Sequence, residues 1–265
     1  NILLLTGAGF TKNFGGFLAT EMWSQIFNDA NIQSSEQLRS LLQNNFDFEF
    51  VYSEVVDNTH YSEEEKEAMR KSIHSAYKKL DDAIRNWKFN SDSPYPVNIY
   101  GLGELFNKMW PSPYNKPSLF FTLNQDLFVE RRWGHPSPGA PRFKQEFYQM
   151  HGRELSSSEF VTLPKENVEE AVLQGLSSHN GIHYVKLHGS YGWQSSTGTN
   201  QLVIGTNKAS LIKSEPLLRS YLDLLKNVIG ENNKKILIIG YGFRDAHINN
   251  VLLKGVEDHN LKIYI

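Results

Sequence analysis

Side chains that can bind hydroxyl groups and move protons directly follow two apolar segments of this chain. Asn124 and Asp126 come after the apolar run Ser118–Leu123, and His188 follows the run Tyr184–Leu187. An aspartate can accept hydrogen bonds from sugar hydroxyls, an asparagine can hold a water or a hydroxyl, and a histidine can act as a general base near neutral pH. Ligands of open α/β sheets bind beyond the carboxyl ends of strands, so we expect the three side chains at one sheet edge.

Each of these residues also has a structural interpretation that the sequence leaves open. Asp126 could cap the helix that follows it, which is a common role for aspartate. An isolated histidine such as His188 is more often structural than catalytic. For Asp245, which opens a helix after the turn Gly240-Tyr241-Gly242, N-capping is the preferred interpretation.

The sequence predicts no metal site. Several other histidines are expected in loops or on helix surfaces, and no pair has metal-ligand spacing beside a carboxylate on a recognisable helix. They are His60, His74, His135, His151, His179, His183 and His259.

Two glycine turns follow apolar runs and could bring the backbone close to a phosphate. Gly7-Ala8-Gly9-Phe10-Thr11 comes after Ile2–Leu5, and Gly240-Tyr241-Gly242 comes after Ile236–Ile239. Such turns occur in dinucleotide-binding proteins, although tight turns need glycine for backbone reasons as well. The chain lacks the phosphate loop of P-loop ATPases and the acidic residue that a dehydrogenase places about 20 positions after its first turn. Both of those classes are therefore disfavoured.

The elements that position these residues have the pattern of a parallel sheet. Nearly continuous apolar runs indicate strands that are buried on both faces by helices. We therefore predict an α/β fold with a Rossmann-like, doubly wound, mostly parallel sheet and helical insertions. The predicted strands are Ile2–Leu5, Ser118–Leu123, Tyr184–Leu187, Leu202–Ile204, Ile236–Ile239 and Leu261–Ile265.

One domain is predicted over 1–265, with two insertions. A helical insertion covers about 31–89 and includes a capping box that begins at Ser62. An irregular insertion, rich in proline, glycine and serine, covers about 134–180. The chain begins at Asn1 and ends in a strand-like run, so we expect it to be a piece of a longer polypeptide.

The composition excludes several classes of protein. The 265 residues carry a net charge of −2, so no global basic field attracts nucleic acid. The chain has no cysteine, which excludes disulfides and cysteine-ligated zinc and fits a reducing cytoplasm. No apolar run reaches the length of about 20 residues that a membrane-spanning helix needs.

The four strand ends, in this order, resemble the Sir2 (sirtuin) family. Gly7-Ala8-Gly9-Phe10-Thr11 is similar to its Gly-Ala-Gly-x-Ser loop, and Thr122-Leu123-Asn124-Gln125-Asp126 is similar to its Thr-Gln-Asn-Ile-Asp motif. His188-Gly189 resembles its catalytic His-Gly, and Gly240-Tyr241-Gly242 lies where that family has Gly-Thr-Ser.

The departures from the protein deacylases of that family favour one branch. After the first turn the chain reads Phe14-Gly15-Gly16-Phe17, without the Asp and Arg of those deacylases, and the four cysteines of their zinc module are absent. The glycine turns at Gly7–Thr11 and Gly240–Gly242 are more similar to those of the bacterial Sir2-like branch, which is associated with NAD⁺-degrading effectors of antiphage defence. This resemblance implies an NAD⁺ glycohydrolase with no metal, in which NAD⁺ is the substrate.

The resemblance also implies roles for individual residues. Asn124 and His188 would be catalytic. The residues expected to bind NAD⁺ are Gly7, Ala8, Gly9, Phe10, Thr11, Asp126, Gly240, Tyr241 and Gly242. The expected partners are further copies of the chain or a sensor protein such as a short Argonaute or an ATPase, without direct nucleic-acid or membrane binding. NAD⁺-dependent protein deacylation or ADP-ribosyl transfer, and non-catalytic sensing of NAD⁺ or ADP-ribose, stay open as alternatives.

Overall fold

The computed structural model describes residues 3–87, 99–110, 117–133, 160–178, 181–195 and 202–265. In these ranges the strands are β1 (Leu3–Thr6), β2 (Ser118–Thr122), β3 (Val161–Thr162), β4 (Ile182–Lys186), β5 (Trp193–Gln194), β6 (Lys235–Ile239) and β7 (Lys262–Tyr264). Five of them form one sheet in the order β4-β2-β1-β6-β7, and every pairing in it is parallel. Strands β3 and β5 pair separately.

Helices cover both faces of the large sheet. They are α1 (Ala8–Lys12), α2 (Ala19–Phe27), α3 (Ala30–Gln33), α4 (Glu36–Asn44), α5 (Phe48–Asp57), α6 (Glu63–Asn86), α7 (Ile99–Met109), α8 (Phe128–Trp133), α9 (Val168–Ser178), α10 (Lys208–Ser214), α11 (Pro216–Ile229) and α12 (Ala246–His259). None of these helices is both long and apolar enough to cross a membrane.

Successive residues of the central strand enter different hydrophobic cores. Leu3 and Leu5 belong to a cluster that also contains Tyr221 of α11, whereas Leu4 belongs to a cluster with Ile73 of α6. This alternation is the pleat of a strand with a helical layer on each side. The predicted doubly wound, parallel α/β fold is therefore confirmed.

One predicted strand is wrong. The apolar segment Leu202–Ile204 does not join the sheet, and it passes instead over the loops at the sheet's carboxyl edge. There the amide of Val203 donates to the carbonyl of His188 at 3.4 Å, and the side-chain amide of Gln125 donates to the Val203 carbonyl at 3.2 Å. Val203 and Ile204 are buried by this contact, so their apolar character reflects burial rather than strand pairing.

The segment that follows the first turn is helical, as its periodicity predicts. Helices α3 to α6 lie within residues 30–86, while 88–89 fall outside the described residues. The capping box is present, since the Glu65 amide donates to Ser62 Oγ at 3.2 Å and the Ser62 amide donates to Glu65 Oε2 at 2.9 Å. Of the segment predicted to be irregular, only 160–178 is described, and it contains α9. The division into one domain with two insertions stays a prediction.

The two glycine turns pack against each other. A Cβ atom on Gly7 would lie 2.8 Å from the Gly240 carbonyl oxygen, and one on Gly9 would lie 2.8 Å from the Gly240 Cα. Gly240 has a φ of +66°, and a Cβ there would lie 2.2 Å from the Phe10 nitrogen. The ends of β1 and β6 can approach this closely only because neither turn carries a side chain at these positions.

We predict that Gly240→Ala lowers the free energy of unfolding by at least about 2 kcal/mol. The substitution combines a left-handed backbone with a backbone clash, and each of these costs about 1 kcal/mol or more. Gly242→Ala is the matched control, because a Cβ there has nothing within 4 Å. Urea unfolding of both variants measures the difference, and equal stabilities would contradict the packing described here.

Candidate active site

Hydrogen bonds join the ends of β1 and β2. Thr11 Oγ1 donates to Asp126 Oδ2 at 3.0 Å, and Asn124 Nδ2 donates to Thr11 Oγ1 at 3.4 Å. Below them, Thr6 Oγ1 donates to Thr122 Oγ1 at 2.8 Å, and all five side chains are buried. The first turn and the Asn124–Asp126 segment therefore meet at one sheet edge, as the sequence predicts.

Asp126 makes two hydrogen bonds at the sheet edge, and its role toward a ribose stays a prediction. Its Oδ1 atom accepts a hydrogen bond at 3.0 Å from the amide of Phe128, the first residue of α8, which is the structural interpretation. Its Oδ2 atom faces Thr11 in the site. Burial raises the pKa of Asp126, and the Lys186 cation and the hydrogen bonds from Phe128 and Thr11 oppose this rise.

Gln125 connects β2 with the end of β4. Its side-chain Nε2 atom donates to the backbone carbonyl oxygen of His188 at 2.8 Å. The backbone carbonyl oxygen of Gln125 accepts a hydrogen bond from the Tyr191 amide at 2.7 Å. The hydroxyl of Tyr77, on α6, donates to Gln125 Oε1. No role was predicted for Gln125, although its position between Asn124 and Asp126 indicates that it lies in the same site.

His188 lies at the carboxyl end of β4, next to the strand that carries Asn124. It is 4% exposed, and burial lowers the pKa of its ring to about 3. The imidazole is therefore neutral at physiological pH. A neutral ring keeps a nitrogen lone pair that can accept a proton.

The helix α12, which follows β6, brings His247 into contact with His188. His247 Nε2 lies 3.0 Å from His188 Nε2, so one of these two nitrogens donates to the other. Asp245 occupies the N-cap position of α12 but makes no side-chain capping bond, which corrects its predicted role. Its carboxylate instead binds Lys208, whose Nζ lies 2.7 Å from Asp245 Oδ1 and 2.8 Å from Glu49 Oε2.

The electrostatics of Asp245 differ from those of Asp126. Burial on its own would raise the pKa of Asp245, but attraction to His188, Lys208 and His247 outweighs burial and lowers that pKa. Asp245 is therefore the ionised carboxylate of this part of the site. The positive charge of Lys208 is shared between it and Glu49.

A buried lysine supports the site from below. Lys186 is the last residue of β4 and is fully buried. Its Nζ atom donates to the Asp126 carbonyl oxygen and lies 2.6 Å from Glu130 Oε1. Lys186 therefore fixes the segment that carries Asp126, and it lies two residues before His188 in the chain.

The predicted NAD⁺-binding residues occupy different environments. Ala8 is exposed and Gly242 has open space beside it, whereas the ring of Phe10 packs in the core 5.8 Å from Phe120. The Gly9 amide donates to the Gly240 carbonyl at 2.9 Å, so the two turns bind each other through it. The Tyr241 hydroxyl contacts the start of α12, where it lies 2.9 Å from Asn249 Oδ1. Contacts of these residues with NAD⁺ stay predictions.

Other histidines differ from expectation. His183 was expected in a loop or on a helix surface, but it lies in β4 and is 5% exposed. His135, His151 and His179 lie outside the described residues. His247 was not recognised as part of the site, although it follows Asp245 by two residues at a predicted strand end.

A buried hydroxyl near His188 has no hydrogen-bond partner among the described residues. It belongs to Ser190, which lies two residues after His188 and is fully buried. A buried hydroxyl without a partner costs free energy, which a hydrogen bond from a bound molecule would offset.

One group of side chains has the geometry to bind a metal ion. His188, Asp245 and His247 each offer a ligand atom, and these atoms lie within 4.8 Å of one another. The sequence predicted no metal site, because its histidines were compared only by their spacing along the chain.

The parallel sheet and the polar side chains at its carboxyl edge define a Rossmann-like α/β domain. The sequence profile of the SIR2-like domain matches residues 118–262, which include Asn124, Asp126 and His188. The chain therefore belongs to the SIR2-like domain family, whose members use NAD⁺. No curated protein matches the chain.

We predict that Lys186→Met destabilises the protein by about 3 to 5 kcal/mol, because it leaves the Glu130 carboxylate buried without its cation. The double variant Lys186→Met/Glu130→Gln removes both charges and is expected to regain much of this loss. Lys262→Met, on an exposed position of β7, is the control. Urea unfolding measures all three, and wild-type stability of the single variant would refute the role given to Lys186.

We predict that acidification destabilises the protein through His188. The ordinary pKa of histidine is 6.5 and that of His188 in the folded protein is about 3, so the unfolded state binds more protons between these values. Stability contributed by the neutral ring is complete above pH 6.5 and falls as the pH decreases. Between pH 7.5 and pH 5 this amounts to about 2 kcal/mol.

Urea unfolding at pH 7.5 and pH 5 tests this dependence. His188→Gln is expected to reduce the difference between the two pH values, whereas His60→Gln, at an exposed position, is expected to keep it. An unchanged difference in His188→Gln would show that the ring is protonated in the folded state at pH 5.

Proposed function

We propose that this protein is an NAD⁺ glycohydrolase that converts NAD⁺ and water to nicotinamide and ADP-ribose, with release of a proton. The observation that carries the proposal is the meeting of Thr11, Asn124, Asp126 and His188 at the carboxyl edge of the sheet. Three of these residues lie within the segment that matches the SIR2-like domain family. Family membership supports the use of NAD⁺, and the site supplies groups suited to chemistry at a ribose.

The reaction breaks the bond between nicotinamide and ribose through a transition state with oxocarbenium character. Nicotinamide is a good leaving group, so the protein mainly has to orient the reactants and stabilise charge. In this proposal Asn124 orients the attacking water or a ribose hydroxyl. In this proposal His188, a neutral imidazole at the same sheet edge, accepts the proton that this group loses, although burial weakens its basicity. Asp126, held by Thr11, supports the ribose.

Hydrolysis is favoured over deacylation of a protein. The chain contains no cysteine, so the cysteine-ligated zinc module that helps frame the peptide cleft of protein deacylases is absent from it. Water, unlike an acylated peptide, can accept the ADP-ribosyl group without a binding cleft of its own.

The biological setting that we propose is antiphage defence in a prokaryotic cytoplasm, where depletion of NAD⁺ stops the infected cell. An enzyme of this kind has to stay silent in healthy cells, so we propose control by assembly with further copies or with a sensor such as a short Argonaute or an ATPase. The helical segment 31–89 and the segment 134–180 are the proposed contact surfaces.

Nicotinamide release from NAD⁺ by the triggered assembly tests the proposal. Asn124→Ala and His188→Ala are each expected to reduce the rate by at least about 100-fold, which is the scale of a lost proton-transfer or orienting group. Asn232→Ala and His259→Ala, of the same residue types and outside both proposed contact surfaces, are the matched controls. Thermal unfolding of each variant separates lost chemistry from lost folding.

Two outcomes would overturn the assignment. One is wild-type rates for both Asn124→Ala and His188→Ala in an assembly that cleaves NAD⁺. The other is NAD⁺ consumption only when an acyl-lysine peptide is added, with the deacylated peptide detected by mass spectrometry. Calorimetry that shows tight NAD⁺ binding without turnover, with every partner present, would favour a sensing module instead.

A further inference from the structure

Two imidazole rings meet directly at the carboxyl edge of the sheet. The Nε2 atoms of His188 and His247 lie 3.0 Å apart, and the ring centroids are 5.1 Å apart. With both rings neutral, only one of the two nitrogens can carry the shared proton, and the other offers a lone pair. A metal ion between the rings would use the lone pairs of both nitrogens, as the neutral imidazole is the form that binds metals.

A carboxylate completes the set of ligands. The ligand atoms of His188, His247 and Asp245 all lie within 4.8 Å of one another. Neighbouring ligand atoms around a tetrahedral Zn²⁺ lie about 3.3 to 3.5 Å apart, as bonds of about 2.0 to 2.2 Å require. Small side-chain rotations are therefore sufficient to bring the three atoms to these separations. Two histidines and one carboxylate are a donor set that leaves the fourth position open.

The charges around the cluster favour a cation. Lys208 contacts Asp245 Oδ1 at 2.7 Å, but its charge is shared with Glu49, whose Oε2 lies 2.8 Å from it. Two carboxylates therefore share this single ammonium group. A carboxylate can accept a lysine on one oxygen and a metal ion on the other, so Lys208 does not have to leave.

The position of Asp245 is a second indication of a ligand role. It is the N-cap residue of α12, where aspartate usually accepts hydrogen bonds from the first turn of the helix, but its side chain makes no such bond. Its carboxylate is directed instead toward Lys208, and it lies beside the two histidines.

We propose that His188, Asp245 and His247 form a binding site for a divalent transition-metal ion of the Zn²⁺ type, and that the bound ion silences the enzyme. Binding would place the ion on Nε2 of His188, so this lone pair could no longer accept a proton. Metal binding and proton transfer at that atom therefore exclude each other. The silencing rests on the proposed NAD⁺ glycohydrolase activity, whereas the binding site itself does not.

Metal binding is tested without reference to activity. Protein freed of metal with EDTA is titrated with Zn²⁺ by calorimetry, and Co²⁺ is added separately to look for the visible absorption of a tetrahedral site. We expect one ion per chain, and at least about 10- to 100-fold weaker binding in His247→Ala and in Asp245→Asn. His259→Ala, at the other end of α12, is the matched control and is expected to bind like the wild type.

The outcomes of this titration are decisive in either direction. Binding that is lost in His247→Ala but kept in His259→Ala supports the site. Absence of binding to the folded wild type overturns it, as does equal affinity of the wild type and His247→Ala. Circular dichroism and thermal unfolding show whether the variants are folded, and Asp245→Asn provides an independent variant if His247→Ala is not.

Silencing is then tested by nicotinamide release in the triggered assembly. Zn²⁺ at saturating concentration is expected to reduce the wild-type rate by at least about 10-fold, and EDTA is expected to restore it. Each variant is compared with its own metal-free rate, and His247→Ala is expected to be insensitive to Zn²⁺. A rate that Zn²⁺ leaves unchanged or raises overturns the silencing. If no protein cleaves NAD⁺ under any condition, the proposed function fails, and calorimetry still decides the metal site.

Discussion

The arrangement of the site depends on one buried ammonium group. Lys186 ends β4 inside the protein, where an unpaired cation would be very unfavourable. It is tolerated because Glu130 and the Asp126 carbonyl oxygen surround it. These partners belong to the segment after β2, so the lysine attaches the ends of two neighbouring strands to each other. The lysine holds the segment that carries Asp126, and it lies two residues before His188 in the chain.

A second constraint acts on the other half of the sheet edge. The turns after β1 and β6 touch through their glycines, and the Gly9 amide donates to the Gly240 carbonyl. Gly240 leads through Tyr241 to the start of α12, which carries Asp245 and His247. His247 in turn contacts His188. The four strand ends are therefore joined to one another in a closed ring of contacts.

Much of this arrangement of strand ends could be predicted from the local sequence. Apolar runs identified five of the strands, and because parallel strands end at a common edge, the placement of Asn124, Asp126 and His188 could be predicted from their positions after those runs. The capping box at Ser62 likewise located the start of α6. The segment Leu202–Ile204 was assigned wrongly, since an apolar run reports burial and does not distinguish a strand from a covered loop.

Contacts between distant side chains could not be predicted in this way. His188 and His247 are 59 positions apart, and only the packing of α12 against the sheet edge brings their rings together. Lys186 and Gln125 were passed over because a lysine at the end of an apolar strand and a glutamine in a polar loop are ordinary residues locally. Their importance lies in what they bind across the fold.

The order of strands in the sheet has a consequence for the synthesis of the protein. The central strand, β1, is made first, yet it pairs with β6, whose residues come 233 positions later, as Leu3 pairs with Ile236 (236 − 3). Long-range pairings of this kind form late in folding. A nascent chain on the ribosome therefore holds β1 without one of its two neighbouring strands until β6 has been translated.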